Sequence, residues 1–197
     1  PASSVLAAHA GDQNRHNVGG RVAYRQGPFD GTFEGYWQFG SMGVGDSGQR
    51  VHINAYALAA EGGVTLAAVP WSPRIGAEFN YASGDGDALA CRQGNVAACN
   101  GTANTFENFW PTNHIHMGYA DVMAWRNMVA YSGSLQMKPA DNQHVEFRYW
   151  NFRKANKNDC WYRAAQNCYF QANNGSSHLT DELDFIYTLF FKNNHVA

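Results

Sequence analysis

Apolar and polar residues alternate with a two-residue period in six windows of this chain, and no stretch is apolar for the length a membrane-crossing helix needs. Such a helix takes about 18 or more consecutive apolar residues. A chain patterned this way can therefore enter a bilayer only as a closed barrel of strands, or else folds as a soluble antiparallel sheet. Window 32–39 sets Phe33, Trp37 and Phe39 against Thr32, Glu34, Tyr36 and Gln38, and window 18–25 sets Val18, Val22 and Tyr24 against Arg21 and Arg25. Window 74–81 places Ile75, Ala77, Phe79 and Tyr81 opposite Arg74, Glu78 and Asn80. Windows 129–138, 144–149 and 179–191 repeat the pattern, with Glu146, Arg148, Glu182 and Asp184 opposite Phe147, Tyr149, Phe185, Tyr187 and Leu189. The alanine-rich segment 51–69, interrupted by Gly62 and Gly63, reads either as one long bent strand or as two short ones.

The connections between windows differ in length. Segments 26–30, 69–73 and 139–142 carry Gly, Pro, Asp and Asn turn chemistry, and Asn193–Asn194 begins another such turn. Segments 9–17, 43–49, 85–113 and 154–177 are long. Short turns at one end and long loops at the other is the outer-membrane barrel arrangement, with long loops outside. A soluble sandwich also alternates. The barrel reading is favoured because the faces opposite the apolar stripes carry both signs of charge and the stripes end in Trp, Tyr and Phe, as an interfacial girdle requires. On this reading Phe33, Trp37, Phe39, Phe79, Phe147, Tyr149, Phe185, Tyr187 and Leu189 face lipid. Only 15% of residues are charged, against about 25% in soluble domains, and the net charge of −2 provides no basic footprint for nucleic acid.

Four cysteines fall as Cys91 with Cys99 and Cys160 with Cys168, one pair in each of the two longest loops. Two local disulfides are favoured, which implies an oxidising compartment, although four cysteines permit three pairings. A zinc site is the rival, and both spacings exceed those usual between paired Cys ligands.

Several runs carry a family resemblance: Tyr81-Ala82-Ser83-Gly84-Asp85, then residues 105–114 (TFENFWPTNH), then Gly118-Tyr119-Ala120-Asp121 and Trp125-Arg126-Asn127. Trp37-Gln38-Phe39-Gly40 and the late strand with Glu182 and Asp184 agree more loosely, since His178 or Leu179 stands where Gly is usual. Together these resemble the alginate-export family of outer-membrane barrels, over nearly the whole chain. The resemblance implies an all-β antiparallel transmembrane barrel, of which the seven or eight strands here form the C-terminal part of a larger pore. A barrel of eight strands is filled by its own side chains, whereas one of roughly 16–18 leaves a water-filled lumen suited to this charged face. The chain, opening at Pro1 without a signal peptide, is accordingly expected to be one partial barrel domain over 1–197.

The expected function is an outer-membrane pore for passive passage or export of a hydrophilic solute, with a uronate polysaccharide as the anionic example. Arg21, Arg25, Glu34, Arg74, Glu78, Glu146, Arg148, Glu182 and Asp184 are the candidate lining, because rings of fixed charge are how a pore selects solutes. They read equally as wall salt bridges with no selective role. Loop 106–114 is a candidate for folding inward to narrow the bore. No cofactor is expected. Asp85 and Asp87 on a Gly-rich turn are a weak calcium candidate, two carboxylates where six to eight oxygens are wanted. His114 and His116 could share a metal, but read better as hydrogen-bonded loop histidines. The alternatives are a docking barrel that scaffolds a periplasmic or surface protein and, less favoured, a lipid-modifying enzyme using Ser132, Ser134 and His144. No nucleophile-elbow or zinc-protease motif supports catalysis.

Overall fold

The computed structural model of the chain describes residues 4–5, 12–44, 48–87, 97–99, 101–109, 114, 116–163, 168–170 and 176–191. Seven long strands dominate it: β2 (Gln13–Gln26), β3 (Phe29–Gly43), β4 (Arg50–Thr65), β5 (Arg74–Ala82), β7 (Met128–Met137), β8 (Gln143–Lys154) and β11 (His178–Leu189). They form one antiparallel sheet in the order β11-β8-β7-β5-β4-β3-β2, each beside its neighbour in the chain save for the short insertions. The two-residue strand β6 (Thr102–Ala103) adds in parallel to β4, at His52 and Ile53. A small second sheet, β1 (Ser4–Val5), β10 (Cys168–Phe170) and β9 (Trp161–Tyr162), lies among the loops. Among the described residues β2 and β11 are the two edges of the large sheet, and they do not pair with each other.

The burial pattern is inverted relative to a soluble sheet. Phe33, Trp37, Phe147, Tyr149, Phe185 and Leu183, the last 75% exposed, lie uncovered on one face, while Glu78, Asn80, Ser132, Ser134 and Asp184 are buried on the other. No second sheet covers the apolar face among the described residues, so the sandwich alternative does not hold. An apolar face far larger than a soluble monomer tolerates is stable only in contact with lipid. The chain is therefore a transmembrane β-barrel wall. Strands of 14, 15 and 16 residues (β2, β3, β4) exceed the roughly 9–11 that cross a bilayer and so project beyond it.

Several boundaries differ from the sequence expectation, and Gln26, Phe29 and Asp30, expected in a turn, pair within β2 and β3. Residues 13–17, expected in a link, belong to β2, because Gln13 still pairs with Met42 at the far end of β3. Segment 51–69 resolves into one strand to Thr65, continuous through Gly62 and Gly63. Their place in the sheet is functional: a Cβ on Gly63 would lie 2.5 Å from the Arg74 guanidinium, which crosses that position. Short turns do join β2 to β3, β4 to β5 and β7 to β8, whereas 83–127 and 155–177 are long connectors. The Asn193–Asn194 turn lies outside the described residues.

Cys160 and Cys168 are disulfide-bonded, closing the β9–β10 hairpin over a small buried cluster with Ala124 and Tyr162. Cys99 is also disulfide-bonded. Its expected partner, Cys91, lies outside the described residues.

Candidate functional site

The register places all nine candidate lining residues on the inner, polar face of the sheet. Toward the short-turn end Arg21, Glu34, Arg74, Glu78, Glu146 and Arg148 enter ion pairs, most of which cross from one strand to another. Arg74 on β5 reaches over Gly63 of β4 to Asp30 on β3, at 2.6 Å, and also approaches Glu61 at 3.5 Å. Arg148 on β8 lies 2.5 Å from Glu78, 2.7 Å from Glu146 and 3.7 Å from Glu61. Arg21 on the edge strand approaches Glu34 at 3.7 Å but keeps 63% of its side chain exposed. Arg25 lies opposite Asp30 in the register and is exposed. The four arginines thus divide. Arg74 and Arg148 are enclosed by carboxylates, as charges withdrawn from water must be, whereas Arg21 and Arg25 lie on the edge strand β2, nearly all of whose residues are exposed.

At the long-loop end the same face changes character. Its floor is alanine: Ala55, Ala57 and Ala59 on β4, Ala82 on β5 and Ala130 on β7, all buried. Small side chains there leave room for the described residues of connector 83–127, which bury Phe106, Met117, Met123 and Trp125 against them, with Trp150 and Phe152 closing the side. Full burial of a side chain of this size contributes roughly 1.5–3 kcal/mol, enough to hold an irregular segment in place.

The residues that carry the family resemblance are the fastenings of this connector. Ser83 accepts the Tyr56 amide on its hydroxyl and donates that hydroxyl to the Asn104 carbonyl at 2.6 Å. Gly84 is required because any Cβ would lie 1.9 Å from Asn127 Oδ1. Asn127 in turn accepts the Asn156 amide and donates to the carbonyls of Asn156 and Cys160, tying the two connectors together. Trp125 Nε1 donates to the Tyr81 carbonyl at 3.1 Å. Gln38 takes the Glu107 amide and the Arg15 guanidinium on Oε1, and Nε2 donates to the Glu107 carbonyl. Glu182 accepts the Ala120 amide at 2.8 Å and leaves no room for a Cβ at Gly118.

His116 lies where the two regions meet. Nδ1 is 2.8 Å from Glu78 Oε1 and Nε2 is 3.1 Å from Glu34 Oε1. His114 points elsewhere, 3.5 Å from Asp121 and stacked on Tyr119, so the two histidines do not converge. Asp85 Oδ1 accepts the Asp87 amide and Oδ2 the Asn104 amide, which makes it a loop staple. Burial, with the Asp87 carboxyl alongside, pushes Asp85 up to about 6. Among the described residues no group of three or more His, Cys, Asp or Glu is arranged to hold a metal.

Sequence reasoning missed Asp30, Glu61 and His116 as members of the charged network. Asp30 falls in segment 26–30, which reads as a turn, and Glu61 in the ambiguous alanine segment, so neither lies in a recognised alternating window. The alanine stripe itself was the available signal for a docked connector, since three alanines at a two-residue period clear one face of one strand. A family model described as alginate export matches residues 4–197. No curated protein matches the chain.

Proposed function

The chain belongs to the alginate export family, whose members are porin-type outer-membrane barrels rather than enzymes, and from that premise we propose that its inner face lines a passage for a hydrophilic solute of the uronate-polysaccharide class. The observation that carries the reading is the inverted sheet, apolar toward lipid and charged toward the interior, with connector 83–127 fastened across the interior. In this reading the connector narrows the bore. Arg21 and Arg25 are the strand cations we assign to a passing carboxylate, because Arg74 and Arg148 are committed to the wall. A guanidinium suits this role, since it stays charged and holds a carboxylate by two parallel hydrogen bonds. The long connectors face the outside in this reading, Glu34, Glu78 and Glu146 brace the arginines, and Glu182 braces the connector.

Single-channel recording of the full-length protein in planar bilayers, with oligouronates titrated in, tests this. Stepwise conductance that oligouronates block at rising concentration is the expected result. Conductance indifferent to uronates would make the barrel a general porin, and no conductance would favour the docking alternative.

A further inference from the structure

His116 reaches from the connector to carboxylates on two different wall strands, Glu34 on β3 and Glu78 on β5, each within hydrogen-bond distance of one ring nitrogen. A neutral imidazole has a single N–H, so it donates to one carboxylate and turns a lone pair toward the other. Only the imidazolium donates to both. The backbone is held as well, since Asn80 Nδ2 donates to the His116 carbonyl at 2.8 Å. We propose that His116 is a positioning residue that bolts the connector to the wall, and that the bolt holds only while the imidazole carries its proton. The consequence for permeation rests on the passage reading, whereas the bolt itself does not.

The surroundings favour a local release rather than collapse of the wall. Facing the imidazole are Glu34 with Arg21 behind it, and Glu78 with Arg148 behind it, Arg148 being shared with Glu61 and Glu146. Glu182 on β11 holds the connector four residues on, at Ala120, and the Trp125 ring lies 5.5 Å from the imidazole. His114 and Asp121 of the connector pair with each other. When His116 loses its proton, the arginines still compensate the wall carboxylates, and the Glu182, Trp125 and Gln38 fastenings persist. Burial alone would push the imidazole down, but Glu78, and then Glu34, outweigh it and hold it above its ordinary value. A group raised by folding contributes fully below its free value, about 6.5 for His, and its contribution is lost as pH climbs through the raised value. The bolt therefore opens on the alkaline side.

Amide exchange of residues 116–121 in the full chain in detergent micelles, each rate divided by the chemical rate at that pH, reads the bolt directly. Protection should fall by up to about tenfold per pH unit above the ordinary imidazole range, while strand amides of β7 stay unchanged. His116→Gln should show low protection that does not vary with pH. Glu34→Gln, which leaves one carboxylate, should move the midpoint to lower pH. In bilayers, the wild-type conductance should rise with the same midpoint. Protection that is flat with pH in the wild type, or pH-dependent in His116→Gln, would overturn the bolt. A pH-dependent protection without any conductance would uphold the bolt and count against the passage.

Discussion

The two ends of the inner face are built from the same strands and differ in what those strands place on it. Toward the long loops β4 presents Ala55, Ala57 and Ala59, and toward the short turns it presents Glu61, Gly63 and Thr65. On β8 the same change runs from Phe152 and Trp150 to Arg148 and Glu146, and on β7 from Met128 and Ala130 to Ser132 and Ser134. One end is a dry core made by folding a connector inward. The other is a network of charges spanning the wall. The comparison shows that alternation decides which face a side chain joins, while position along the strand decides whether that face packs against a connector or carries ion pairs. His116 stands on the border, where the row Ala59–Asn80–Ala130 gives way to Glu61–Glu78–Ser132.

The largest effect should come from the dry end. Trp125→Ala removes a ring packed against Tyr36 and Phe106 and its bond to the Tyr81 carbonyl, a loss of about 3–5 kcal/mol for a buried aromatic. Connector 83–127 should become cleavable by added protease and the conductance should rise, while the strands keep their resistance to heat in detergent. A connector that stays protected would mean that its polar fastenings, not its packing, hold it.

A smaller effect is expected at the charged end. Arg148→Met removes the guanidinium that Glu78 and Glu146 share and leaves Glu78 with His116 alone, and breaking a pair this enclosed should destabilise by about 3 kcal/mol, read as a lower urea midpoint. Adding Glu78→Gln should recover part of the loss, because it removes one stranded charge, and strict additivity of the two changes would show that they do not interact.

The smallest effect separates committed from open cations. Arg21→Gln with Arg25→Gln should shift the reversal potential under a salt gradient toward lower anion preference, and the shift should fade near 1 M salt, where the Debye length is about 3 Å. Arg74→Gln together with Asp30→Asn should instead weaken the fold with little change in selectivity, since the two side chains cancel each other's charge. If the potential follows Arg74 and ignores Arg21 and Arg25, the division of the arginines drawn from their geometry is wrong.

The sequence by itself determined the inside-out sheet, because side-chain direction in a strand has a period of two and needs only neighbouring residues to be read. Phe33, Trp37 and Phe39 opposite Glu34 and Gln38 already state which side meets lipid. The same locality made the hairpin disulfide Cys160–Cys168 legible. Tertiary structure alone decided which cross-strand partners each charge meets, since Arg74 finds Asp30 two strands away only because the register lines up Asp30, Gly63 and Gly76. It also decided that segment 83–127 turns inward. That outcome depends on alanines from β4, β5 and β7 being brought side by side into one floor, a surface that exists nowhere along the chain until the strands pair.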